Sequence, residues 1–249
     1  MTIFAEINQE TMKKIFLLFA TSLVLFAGCS KNEEDLVSDI NEVDLVSDII
    51  VINGHTAVKL AGYYWGVENA EDDSYSSLIN VGIGNSWGCH FYMQYFEYNQ
   101  DIIPEEKRYF ALNVARKWGS EGDHSWTLPS EKQWKALIND CYWEWTDSYS
   151  YLSSSHNGKS GIIVYQAKRD EDKGMFNKEN SGYSPADDTH IFLPANGILH
   201  IGRESVWDQG EEGYYWSTDS GHYLQFKSSS RSMKSGSKEE SISVRPVAE

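Results

Sequence analysis

Residues 126–145 read WTLPSEKQWKALINDCYWEW, and this stretch decides the fold class. Ser130 stands three residues before Gln133, the spacing at which a serine and a glutamine side chain reciprocally cap the start of a helix. Trp134, Leu137, Ile138 and Cys141 then share one helical face, which must pack inward. An earlier helix is expected from Pro104 to Gly119. Proline with Glu105 and Glu106 suits its first turn, Phe110, Leu112, Val114 and Trp118 supply apolar positions, and glycine stops it. Downstream, β-rich runs at Gly161–Ala167, His190–Pro194, Gly213–Ser217, His222–Lys227 and Ser241–Val247 are divided by Gly, Asp and Ser clusters. Two helices among short strands, without βαβ alternation, predict an α+β domain with long, polar, aromatic-studded loops.

The rest of the chain bounds what such a domain can do. With 249 residues, 41% of them apolar, and 9 Trp, 15 Tyr and 10 Phe, it can bury a core without disulfides or metals. The formal net charge is −16. It stays there without residues 1–28, whose Lys13 and Lys14 are matched by Glu6 and Glu10. A surface of that sign repels phosphate backbones and anionic headgroups, so nucleic acid and electrostatic membrane binding are not expected. Neutral glycans, cations or proteins fit it better.

From Met12 the chain reads Met-Lys-Lys, then an almost wholly apolar run from Ile15 to Ala27, then Gly28 and Cys29. The run is shorter than the ~20 residues a membrane-spanning helix needs, so residues 1–28 are expected to be a cleaved signal peptide whose true start is Met12. Leu25, Phe26, Ala27, Gly28 and Cys29 resemble a bacterial lipobox, in which cleavage precedes a cysteine that is then acylated; Phe26 stands where leucine is usual. Cys29 is therefore the expected lipidation site. The acidic run from Ser30 to Asp35 resembles the signal that sends lipoproteins of Bacteroidetes-type bacteria to the outer face of the outer membrane. DLVSDI occurs at 35–40 and again at 44–49. Two copies do not make a solenoid, so residues 29–50 are expected to be an acidic spacer ahead of a domain spanning 51–249. Cys89 and Cys141 lie inside that domain. In an oxidising compartment they either pair as a disulfide, if their Cα atoms come within about 7 Å, or stay as buried thiols.

Four segments follow one another in a distinctive order: WTLPSEKQWKALINDCYWEW (126–145), IFLPANG (191–197), GYYWST (213–218) and ISVRPV (242–247). Together they resemble the FISUMP domain, named after a Fibrobacter major paralogous family. The resemblance spans roughly residues 51–249 and is densest from Trp126 onward. It implies a C-type-lectin-like fold, with two helices packed on small twisted antiparallel sheets and long loops. It also implies a distant kinship with the formylglycine-generating enzyme, whose chain ends on a strand with a Phe-Arg or Val-Arg pair, here Val244 and Arg245. Near the front, Lys59, Leu60, Trp65 and Asn69 sit in the family's opening segments, but Glu68 takes the place of a cysteine. A family disulfide using that cysteine is absent here or re-routed through Cys89.

Calcium-dependent sugar binding in C-type lectins uses Glu-Pro-Asn or Gln-Pro-Asp in one loop and Trp-Asn-Asp in the next strand, and neither is present. The nearest string, Pro194, Ala195 and Asn196, lacks the carboxylate. Asp72 with Asp73, or Asp187 with Asp188, offer oxygens for calcium, but acidic pairs in loops are ordinarily solvated. The seven histidines make no metal-ligand spacing, so no metal site is expected. No cysteine follows Cys141, which removes the late thiols of the formylglycine-generating enzyme. Gly84, Asn85, Ser86, Trp87 and Gly88 match a nucleophile-elbow pattern without the strand-to-helix context that the chemistry needs. No catalytic residues are expected.

Trp and Tyr can stack on the apolar face of a sugar while nearby Asp, Asn or Gln bond its hydroxyls. Trp87, Trp207 and Tyr214, expected on loops, are the expected ligand-binding residues, whereas Trp134, Trp143, Trp145 and Trp216 are expected in the core. The sequence thus predicts a lipid-anchored outer-membrane protein facing outside the cell, touching the membrane only through its anchor. Its single domain binds a glycan or a protein without catalysis and without a cofactor; calcium is left open, with no lectin-type motif to support it. Its alternative is a structural or accessory subunit of a surface assembly, and a hydrolase or formylglycine-type oxidase comes third.

Overall fold

Asn53 and Gly54 both take positive φ (47° and 82°), and so do Ala61 and Gly62 (50° and 84°). Paired positive φ makes the two-residue turn whose twist matches that of flanking strands. Each pair accordingly closes a hairpin, giving three strands: β1 (Ile49–Ile52), β2 (His55–Leu60) and β3 (Tyr63–Gly66). The computed structural model describes residues 48–70, 91–92, 110–152, 154–200, 205–219, 221–237 and 240–249. The chain divides after residue 46, and all described residues belong to the unit Ser47–Glu249. Ile49 and Ile50, expected in the spacer, are thus the first half of a strand.

The remaining elements are β4 (Phe91–Tyr92), α1 (Phe110–Arg116), β5 (Ser120–Glu121), β6 (His124–Thr127), α2 (Glu131–Asp140), β7 (Cys141–Thr146), β8 (Gly161–Gln166), β9 (His190–Pro194), β10 (Glu212–Trp216), β11 (His222–Lys227), β12 (Ser230–Ser235), β13 (Ser241–Ile242) and β14 (Val247–Ala248). They form a six-stranded sheet ordered β1-β2-β3-β14-β6-β5, two three-stranded sheets, β7-β8-β9 and β10-β11-β12, and the pair β13-β4. Every pairing between these strands is antiparallel. Among the described residues the architecture is small antiparallel sheets with two helices, α+β in the broad sense.

The deciding stretch folds as its capping box dictates. The Ser130 hydroxyl accepts from Gln133 N–H, and Gln133 Oε1 accepts from Ser130 N–H at 2.7 Å. Trp134 and Leu137 are fully buried. Cys141 departs from the expected helical face. It is the extended C-cap, its N–H bonding Leu137 O, and it opens β7. The aromatic run that follows is therefore a strand, with Tyr142 opposite Tyr165 and Trp143 opposite Val164. The first expected helix is present as α1, while residues 104–109 lie outside the described ones. The expected strand from Ser241 to Val247 is split in two. Pro246 has no N–H for a ladder, and the Arg245 side chain turns fully inward.

The six-stranded sheet carries a core cluster on each face, except where the outer face of β1 and β2 is exposed at Ile49 and Val51. Ala57 and Ala248 face one core cluster, with Trp126, Val114 and Ala115, while their neighbours Val58 and Val247 face another, with Trp65, Trp134 and Trp143. The buried Trp65, Trp126, Trp134 and Trp143 give their indole N–H groups to the carbonyls of Leu60, Ile52, Trp216 and Leu137 at 2.9–3.1 Å. Each ring thus buries its apolar area without stranding a donor. Arg245 joins two sheets, donating to Gly66 O at the end of β3 (2.9 Å) and to Phe192 O in β9 (2.8 Å).

Candidate functional site

A pocket of about 380 Å³ opens between the outer face of the β1–β2 hairpin, the chain leaving β3, the loop after β7, and β9. Register sets its first wall. Ile49 lies opposite Val58 and Val51 opposite Thr56, so Ile49, Thr56 and Val58 line the pocket while Ile50 and Ile52 turn to the core. Val67 and Glu68 form the floor edge. They are held because Val67 N–H bonds Thr56 O and Ala70 N–H bonds Val244 O.

The loop from Tyr149 to Lys159 supplies the second wall. Its neck is closed by bonds between Tyr149 and the backbone of Gly158 and Lys159, at 2.8 Å each. Inside the loop, Asn157 Oδ1 accepts from Tyr151 N–H and its amide donates to Leu152 O. That clamp holds Leu152 at φ 45°, a costly conformation for a bulky residue, and leaves the residue 82% exposed at the pocket mouth.

Two histidines face the pocket, and their partners fix their protonation. His190 Nδ1 lies 2.8 Å from Asp188 O, a carbonyl, so Nδ1 carries the hydrogen; Nε2 then accepts from the Tyr149 hydroxyl at 2.8 Å. Burial lowers the His190 pKa, which keeps the ring neutral, and burial raises that of the Tyr149 phenol. His156 Nε2 stands 2.7 Å from Glu68 Oε2, and Nδ1 faces the Lys159 ammonium at 3.5 Å. Burial lowers the His156 pKa too, against the pull of Glu68. Burial alone would raise the Glu68 carboxyl, but His156, the charge of Arg245 and the Ser155 hydroxyl together bring it down to about 2. The pocket therefore presents two neutral imidazoles and the ionised Glu68, while its other carboxylate, Asp188, is taken up by Lys168 and Ser184 N–H. Its aromatic wall is Tyr149, stacked parallel on Phe192 at 4.1 Å, and the half-buried Tyr151, edge-on to His190 at 4.9 Å.

The expected ligand residues lie elsewhere. Trp207 is on a loop and 47% exposed, as expected, edge-on to His200 at 5.1 Å. Its backbone bonds Ile198 in both directions, and Gly197 is glycine of necessity there, since φ is 72° and a Cβ would fall 2.1 Å from Trp207 O. Tyr214 is not a loop residue. It lies in β10 and its ring is buried in the core, with its hydroxyl on Glu212 at 2.8 Å and Asp208 at 3.3 Å. Trp134, Trp143 and Trp216 are fully buried, and Trp145 is partly buried with its indole N–H on Asp147. Asn196 is buried and donates to Ser243, while Asp188 is engaged by Lys168 and by Ser184 N–H. Trp87, Ser86, Cys89, Cys29 and the pair Asp72 and Asp73 lie outside the described residues. Cys141 is a free, buried thiol whose pKa burial pushes up to about 12. Among the described residues no group of three His, Cys, Asp or Glu side chains is placed to hold a metal ion, and no helix is long and apolar enough to cross a membrane.

Glu68, Tyr149, Tyr151, His156 and His190 carried no spacing signal, because they come from three separate segments. The one trace in the sequence was Glu68 in a cysteine's place. No family model matches the chain, and no curated protein or solved structure matches it significantly.

Proposed function

We propose that the chain is an exported protein, acylated at Cys29 and displayed on the outer membrane, whose C-type-lectin-like domain of the FISUMP kind binds a glycan in the Glu68–His190 pocket without catalysis. The observation that carries this reading is the pocket's composition. Apolar and aromatic walls from Ile49, Val58, Val67, Tyr149, Tyr151 and Phe192 surround a few convergent polar groups, the make-up of small-ligand sites of this size. Sugars have one apolar face and a rim of hydroxyls, and they suit it. A chain with net charge −16 also suits a ligand that is not an anion.

The bond order in the pocket supports binding over catalysis. Activation of a serine needs a histidine on its hydroxyl, but the Ser155 hydroxyl goes to Glu68 Oε2, at 2.9 Å, and His156 Nε2 faces that same oxygen instead of the serine. The Tyr149 proton is already committed to His190. A second reading, docking on a protein partner, draws on the exposed Ile49, Val51 and Leu152.

The test is thermal unfolding of the full chain against a panel of glycans, with and without calcium. A ligand of the native state raises the midpoint. A rise with one glycan class, abolished by Tyr151→Ala, is expected. A flat panel sinks the glycan reading in favour of the protein partner, and a rise that needs calcium contradicts the calcium-free site.

A further inference from the structure

The polar atoms of the pocket divide into those already bonded and those still open to a ligand. Tyr149 gives its proton to His190, which gives its own to Asp188 O. The Asp188 oxygens take the Lys168 ammonium and Ser184 N–H. Glu68 Oε2 faces His156 and accepts from Ser155. Glu68 Oε1 takes no bond from the described residues, and the side chain is 46% exposed. Arg245 stands behind this carboxylate and is fully buried. Its hydrogen bonds go to Gly66 and Phe192, so it favours the ionised form by charge without occupying either oxygen.

An open carboxylate oxygen beside aromatic rings, in a partly desolvated pocket, is the combination that recognises an ammonium group. The carboxylate supplies a charge-assisted hydrogen bond and the ring faces attract the cation. Tyr151 is the ring at hand, half-buried at the mouth. The net charge of −16 draws cations toward the molecule and turns anions away. Resting on the glycan reading above, we propose that the ligand carries a protonated amine next to its apolar face, as an amino sugar does, and that Glu68 Oε1 is the atom that takes it. Glu68 is then the specificity-determining residue, and acidic sugars are excluded by the same oxygen.

Three sugars of one ring size separate this from the broader reading: glucosamine, glucose and glucuronic acid, titrated into the full chain at neutral pH by calorimetry. Glucosamine is expected to bind about tenfold more tightly than glucose, the worth of one hydrogen bond to a charged group, with glucuronic acid weakest. Added salt should shrink the glucosamine advantage, and Glu68→Gln should abolish the difference in affinity between glucosamine and glucose. Glucose binding as well as glucosamine overturns the amine and leaves the glycan reading standing. No response to any of the three, in a chain that also ignores the glycan panel, overturns both. The comparison among sugars on the unsubstituted chain decides the matter even if Glu68→Gln fails to fold.

Discussion

The Glu68–His190 pocket and the Trp207–Tyr214 face use the same residue types to opposite ends. Each sets acids beside aromatic rings. On the Tyr214 face these groups consume one another: the Tyr214 hydroxyl bonds Glu212, the Gln225 amide donates to Glu212 at 2.6 Å, and Lys227 lies 3.9 Å from the same carboxylate. In the pocket a carboxylate oxygen and a half-buried ring are left over. Aromatic and acidic composition does not make a binding site; unspent hydrogen-bonding capacity on a concave surface does.

The largest expected effect lies behind the pocket. Arg245→Met leaves the Gly66 and Phe192 carbonyls without their donors and Glu68 without its buried counter-charge. Removing one member of a buried charged set costs about 3 kcal/mol or more, so the urea midpoint should fall steeply and pocket binding should be lost with it. If Arg245→Met is no worse than Tyr214→Phe, the buried guanidinium does not organise the pocket and the contrast collapses.

Next come paired substitutions at the two exposed rings. Tyr151→Ala should weaken the glycan found by the panel about tenfold, the value of one aromatic contact. Trp207→Ala should leave affinity within about twofold, because that ring is not part of the pocket. Calorimetric titration of both variants reads the difference, and a larger loss at Trp207 moves the site to the face expected from sequence. Tyr214→Phe is smaller still. It removes a hydroxyl bonded to Glu212 and should cost about 1 kcal/mol of stability in urea, with binding unchanged.

What could be read from sequence was what is local. The capping box of Ser130 and Gln133 announces itself within four residues, and His190–Pro194 and His222–Lys227 stand out because turn residues flank runs of strand formers. The six-stranded sheet was not read, since cores on both faces remove the apolar-polar alternation that marks a strand: Ala57 and Val58 are adjacent and both buried. In Ser241–Val247 the apolar pattern predicts one strand, but Pro246 has no N–H for the ladder and Arg245 turns inward, which a motif match does not encode. Tyr214, expected on a loop, falls inside the strand expected at Gly213–Ser217, and the strand is where it lies. The pocket depends on tertiary contact between Glu68, the Tyr149–Lys159 loop and β9, which no spacing encodes.

Acid sharpens the contrast by a smaller effect, because it acts on the pocket through its buried histidines. His156 and His190 ordinarily titrate near 6.5, and burial lowers both in the folded chain. Below that value the unfolded chain binds more protons than the native one, so stability is present above pH 6.5 and is lost as pH falls. Glu68 adds a loss of the same sign lower down, since its carboxyl is lowered from about 4.5 in the unfolded chain to about 2 in the folded one. Thermal midpoints should therefore hold near neutrality and decline below about pH 6.5. His190→Gln should be less stable than the unsubstituted chain at neutral pH, having lost the neutral-imidazole bond to Tyr149, and the gap should narrow as pH falls because glutamine does not titrate. Two parallel pH curves would mean that His190 binds its proton equally in both states, and the Tyr149–His190 bond would no longer mark the pocket as the region where charge, burial and a free carboxylate meet.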